Sequence, residues 1–217
     1  MHLEHPENTT TPSIAKIPRK NRISGEDQFH KKNILTMMIT DGFVKSRKPP
    51  IELSFPRALE ADGSAEKIRE ALAVSTILLW QEGQLKVPLL RISAPLAEAL
   101  QRARLQRRIS FGFEDIAGRL AAEKKGIDAV RKKTTSQQQN RVSRLLLFSR
   151  DGAQRLYRHI EQILIEHQHR LLGCRLDTDS KALGKLLGVE SNGIKVILVE
   201  HKDAVSDVLR ALVVGRG

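Results

Sequence analysis

Ten basic residues fall between positions 102 and 133: Arg102, Arg104, Arg107, Arg108, Arg119, Lys124, Lys125, Arg131, Lys132 and Lys133. Arginine offers a planar fork of donors that grips a phosphate or a guanine edge with two parallel hydrogen bonds. Lysine supplies a point charge for the same anion. Residues 101–150 as a block carry thirteen Lys and Arg against four Asp and Glu, which is +9 of the chain's net +12. Charge concentrated in this way makes a local positive field that attracts polyanions. Nucleic acid, DNA or RNA, is the partner expected. An acidic protein is the alternative, which would make the chain a protein-only adaptor. Phe111 and Phe113 are the aromatic residues among these cations, and single-strand platforms interleave many more. Contact with a phosphate backbone or groove is therefore expected over base stacking.

A second set of residues points to different chemistry. Asp151, Asp177, Asp179 and Asp203 each follow an apolar segment in the last third of the chain. At the carboxyl ends of parallel strands, carboxylates can hold Mg²⁺, as a metal-dependent phosphoryl-transfer enzyme or nuclease would need. The same four positions suit helix N-caps, where each oxygen accepts an otherwise unpaired backbone N–H. Capping explains each residue singly, so no catalytic or metal-ligating residue and no cofactor is expected. Neither Gly-x-Gly-x-x-Gly nor a Walker-type phosphate loop is present. His159 and His167 are eight apart and point in different directions on a helix; His167 and His169 sit at its exit. Cys174, the single cysteine, lies in an apolar run and is expected to pack as a small hydrophobe. Leu183 to Val189 followed by Ile194 and Ile197 has the apolar spacing of a helix-turn-helix. The second half of that motif is β-branched and contains Gly193, which favours a strand.

These residues need elements to position them. Residues 1–33 are polar, with Pro6, Pro12 and Pro18 and scattered cations; Ile34–Ile39 is a short apolar piece, and Lys45–Pro50 a basic connector; residues 1–48 together are expected to form a flexible basic arm. Residues 49–133 are read as a small α/β unit ending in basic helices. Ile51–Phe55 alternates like a strand, 65–80 follows helical spacing, and Leu85–Ile92 with Pro88 inside resembles an edge strand. Pro95 with Ser93 as cap starts a helix whose apolar stripe is Leu96, Leu100 and Ala103. Ser110–Phe113 breaks it, and a second helix starts near Glu114. Gly126 either ends that helix or lies within it. The polar stretch 134–140 is the expected linker. Residues 141–217 read as βαβαβα: strands at Leu145–Phe148, Leu171–Leu176 and Ile194–Val199, each followed by a helix. Such alternation predicts an α/β fold with a mostly parallel sheet, here joined to a smaller mixed unit.

Composition limits the function classes. Of 217 residues, 40% are hydrophobic, enough for a core. No apolar run nears the ~20 residues that span a bilayer, so no membrane partner is expected. Met1–Pro6 lacks the basic-then-apolar layout of a secretory signal. One cysteine fits a reducing compartment, so a cytoplasmic, non-enzymatic nucleic-acid-binding protein is the reading. Its C-terminal unit is expected to serve protein contacts or homodimerisation.

Overall fold

The computed structural model describes residues 54–133, 140–189 and 193–214. The expected arm 1–48, most of the Ile51–Phe55 strand and nearly all of the 134–140 linker lie outside the described residues. In chain order the elements are α1 (Arg57–Ala61), α2 (Ser64–Ala73), β1 (Thr76–Leu78), β2 (Lys86–Leu90), α3 (Ala94–Leu105), β3 (Ile109–Phe111) and α4 (Phe113–Lys133). They continue with β4 (Arg144–Phe148), α5 (Gln154–Glu166), β5 (Leu171–Leu176), α6 (Ser180–Leu186), β6 (Val196–Val199) and α7 (Lys202–Val214).

The strands form one six-stranded mixed sheet in the order β1-β2-β5-β4-β6-β3. The expected α/β class stands. Strands from both sides of 134–140 join this sheet, so that stretch does not divide two separate cores. β2, β5 and β4 are parallel neighbours, while β1, β6 and β3 attach by antiparallel pairing. β2, β3, β4 and β5 therefore share one direction, and β1 and β6 run against it.

The central strands are buried on both faces, which is why their sequences read as unbroken apolar runs. Leu145 and Leu147 of β4 face one layer with Leu96 and Leu100 of α3, Leu183 of α6 and Val205, Val208 and Leu209 of α7. Leu146 and Phe148 face the other with Ile116 and Leu120 of α4 and Tyr157, Ile160 and Leu164 of α5. Gly173 of β5 faces α5: a Cβ there would lie 2.5 Å from the Leu164 methyl carbons, so the helix seats closely on this strand.

Three expectations change. The helix expected over 65–80 stops at Ala73, and Thr76–Leu78 turns back as a strand paired with Lys86–Pro88. β2 is thus the second strand and not the edge. Pro88 is tolerated because β5 pairs only with Leu89 and Leu90. The break at Ser110–Phe113 is a short strand plus Gly112 at φ +84°, a left-handed conformation that glycine adopts freely.

The carboxylate of Glu161 pins the β1–β2 turn to α5. It accepts hydrogen bonds from Trp80 Nε1 (2.6 Å) and from the backbone N–H groups of Gln84 (2.9 Å) and Leu85 (2.8 Å). Burial opposes its charge, but these donors outweigh burial and hold the carboxyl below its ordinary range.

Helix α4 runs through Gly126 for 21 residues. At 1.5 Å per residue it is about 31 Å long, roughly twice the length of the strands it covers. A Cβ at Gly118 or Gly126 would meet nothing within 4 Å. Glycine inside a helix costs about 0.8–1 kcal/mol relative to alanine. Gly126→Ala and Gly118→Ala are each expected to raise the unfolding free energy by about 0.5–1 kcal/mol in urea titrations.

Candidate nucleic-acid interface

Strand direction gathers the cations at one end of the sheet. β2, β3, β4 and β5 run the same way, so the helices that link them, α3, α4 and α5, must each run back. Their C-terminal ends therefore lie where β3, β4 and β5 begin. A helix C-terminus carries about half a negative charge, which favours nearby cations by about 0.3–1 kcal/mol each. Arg102 and Arg104 occupy the last turn of α3, and Arg131, Lys132 and Lys133 that of α4. His167 closes α5 as its C-cap.

The ten expected residues do not form one patch. α3 packs in the layer with α7, and α4 in the opposite layer with α5. Edge strand β3 stands between them, so the α3 and α4 cations share an end of the sheet but not a face.

Several of the ten are already engaged. Arg102 lies 3.9 Å from Glu98. The Arg104 guanidinium stacks over Phe111, 5.9 Å from the ring centroid, and fills the space beside Gly188. Arg119 pairs with Glu200 at 3.1 Å, and Ser110 Oγ donates to the same carboxylate. Lys124 pairs with Glu166 at 2.7 Å. Arg107 has φ +56°, and the Arg108 carbonyl accepts the N–H of Glu200, which fixes the turn into β3. Arg107, Lys125, Arg131, Lys132 and Lys133 have no acidic group within 4 Å among the described residues.

Two arginines at this end escape a search for basic helices. Arg144 begins β4 and Arg170 immediately precedes β5. Both reach Glu123 of α4: Arg144 Nη2 donates to Glu123 Oε1, and Arg170 Nη2 lies 3.3 Å from the same oxygen. Arg144 and Arg170 are each only 20% exposed at the side chain. This knot ties α4 to the starts of two central strands. The one signal in sequence is an arginine directly before each apolar run.

Beyond the knot, a shallow cleft between α4 and the α5–β5 corner is lined by Lys124, Ile127, Arg131, His167, His169 and Arg170. His167 is buried. Burial holds its imidazole below the ordinary value; Lys124 and Arg170 act the same way, against the pull of Glu166 and Glu123. His159 is elsewhere, stacked on Phe113 at 5.7 Å.

The four aspartates are not brought together. β6 runs antiparallel to β4, so Asp203, which follows it, lies at the opposite end of the sheet from Asp151, Asp177 and Asp179. Asp179 caps α6 through the N–H of Ala182 at 2.8 Å. Asp151 does not cap the helix that follows it, whose N-cap is Ala153 without a side-chain bond. It crosses to α6 and accepts the Ser180 N–H (2.9 Å) and hydroxyl (2.7 Å). Asp177 pairs with Arg150 at 3.3 Å, and the Asp203 N–H donates to His201 Nδ1. Among the described residues no three His, Cys, Asp or Glu side chains are placed to share a metal ion.

Cys174 is fully buried, and burial pushes its thiol up. The helix-turn-helix spacing resolves into α6 and strand β6. Gly184 is the close contact, since a Cβ there would lie 2.9 Å from the Val189 carbonyl.

Replacing Glu123 by Gln leaves two half-buried guanidiniums short of their counter-charge. A loss of about 1–3 kcal/mol in unfolding free energy is expected. Lys124→Gln breaks a more exposed pair and should cost under about 1 kcal/mol. His167 binds its proton less readily folded than unfolded, so stability should fall as pH drops through and below 6.5, its unperturbed value. Melting temperature measured from pH 8 to 5 should lose part of this slope in His167→Gln.

No protein-family model matches the sequence, and no curated protein matches it. Among solved structures the chain is similar to a protein with unknown function from Bacillus halodurans, at 16% identity and a TM-score of 0.39, over 56% of this chain and 98% of that one.

Proposed function

We propose that this chain binds nucleic acid through its phosphate backbone and catalyses no reaction, with the outer half of α4 as the principal contact. The observation that carries this reading is the character of residues 121–133. None of them is buried, and Lys125, Arg131, Lys132 and Lys133 have no acidic partner there. A helix that buries so little gains little from the core and presents its charge to whatever lies outside. Arg107, on the other face of the sheet, supplements it. No helix among the described residues is long and apolar enough to cross a membrane. A lone buried cysteine suits the reducing cytoplasm.

Binding of a fluorescein-labelled duplex, followed by anisotropy, should weaken steeply with salt. Four to five phosphate contacts give a log–log slope of about −3 to −5, at about −0.9 per contact on B-DNA. Changing Lys125, Arg131, Lys132 and Lys133 together to Gln should abolish most of that slope and leave the circular dichroism spectrum unchanged. The triple change of Arg104, Arg107 and Arg108 to Gln should have the smaller effect, since Arg104 is held over Phe111. Absence of binding even at 20 mM salt would defeat the proposal and leave an acidic protein as the partner to seek.

A further inference from the structure

The cleft between α4 and the α5–β5 corner has a buried polar group without a partner at its floor. His167 is 7% exposed, and its imidazole makes no hydrogen bond or ion pair among the described residues. Burying such a group is costly unless something supplies a partner. The ring lines the cleft, with Lys124 and Arg131 on the α4 side and His169 and Arg170 on the corner side. Arg131 and His169 are exposed at the rim. Both lack an acidic partner within 4 Å among the described residues. The Arg170 guanidinium donates from Nε to Ser143 Oγ at 3.3 Å and places Nη2 3.3 Å from Glu123, which leaves Nη1 over. Lys124 meets Glu166 with one of its three ammonium protons.

Groups that oppose an anion are present too. Asp128 lines the cleft and has no cation within 4 Å among the described residues. Glu166 is matched by Lys124, and Glu123 by Arg144 and Arg170. The last carbonyl of α5 is already taken, since His167 O accepts the N–H groups of Arg170 and Leu171. Across cleft and knot the cations Lys124, Arg131, Arg144 and Arg170 outnumber the carboxylates Glu123, Asp128 and Glu166, before either imidazole takes a proton. Spare donors thus approach from two sides and from the floor. A phosphate monoester presents three strong acceptor oxygens and about −1.5 to −2 charges at pH 7. A phosphodiester inside a strand has two free oxygens and one charge, and a carboxylate likewise, so each leaves one direction unfilled.

We infer that this cleft binds a phosphate monoester, with the His167 ring beneath it and Arg131, His169 and Arg170 around it. The unpaired cations of α4 continue outward from the cleft. The occupant named here, the terminal phosphate of a strand lying along that helix, rests on the nucleic-acid reading above. A free nucleotide carries the same group, and the experiment separates the two sources.

The full chain is titrated, at one salt concentration, with internally labelled duplexes of one sequence that end in 5′-phosphates, in 3′-phosphates or in hydroxyls alone. In parallel it is melted with adenosine 5′-monophosphate or with adenosine. One phosphorylated end is expected to bind about tenfold more tightly than hydroxyl ends, the worth of one charge-assisted hydrogen bond. Arg131→Gln and His167→Gln should each remove most of that advantage, and Asp128→Asn should enlarge it. Lys125, Lys132 and Lys133 changed together to Gln should weaken all three duplexes alike and keep the advantage, which separates the cleft from general charge. Should His167→Gln lose the native circular dichroism spectrum, the exposed Arg131 and half-buried Asp128 carry the test. An end preference assigns the cleft to strand termini. A rise in melting temperature with the monophosphate and not with adenosine, lost in Arg131→Gln, assigns it to a free nucleotide. Neither effect, or an end preference that survives in Arg131→Gln and is unmoved in Asp128→Asn, overturns the inference and leaves the nucleic-acid reading intact. Failure to bind any duplex overturns that reading itself, and the monophosphate melts alone then decide the cleft.

Discussion

Four consecutive side chains of β4, Leu145 to Phe148, are fully buried, two against each helical layer. A strand buried on both faces needs a helix layer on each side, because either face left open would expose several apolar side chains at about 25 cal/mol per Å². The chain meets that demand by sending a helix back after β2, β3 and β4. The positions of α3, α4 and α5 follow from it, and so does the collection of their C-termini at one end of the sheet. The accumulation of positive charge at that end is thus tied to how the core is covered.

The electrostatics at this end are graded. Close to the strands, cations are matched: Arg144 and Arg170 share Glu123, Arg119 meets Glu200, and Lys124 meets Glu166. Farther out on α4 the acidic partners stop, and Lys125 and Arg131–Lys133 remain. Paired charges near the core hold the helix in place, and unpaired ones beyond it supply the field. Glu123 stands at the division, with one carboxylate orienting α4 relative to two strands.

The direction of β6 governs the other end. β5 and β6 are joined by residues 177–195, and the helix among the described residues there, α6, has seven residues and is about 10 Å long. The connection begins and ends at the same end of the sheet, so β6 runs antiparallel. Asp203 is thereby carried away from Asp151, Asp177 and Asp179. Asp151 then serves the tertiary structure, joining the end of β4 to the start of α6 through Ser180.

Much of this was legible in the residues themselves. The apolar runs of β4, β5 and β6, the Ser93 cap with Pro95, the Asp179 cap and the core position of Cys174 follow from local pattern, because burial period and capping are local properties. β1 and β3 were not legible. Three-residue strands carry too little periodicity, and pairing with β2 and β6 is what makes them strands. The ten cations were visible as a cluster, but sequence distance cannot tell which face of a sheet a helix covers. Only the tertiary structure divided α3 from α4, brought Arg144 and Arg170 to Glu123, and sent Asp203 to the far end. Each of these depends on strand order and direction, which are set by long-range pairing and by packing on both faces of the sheet.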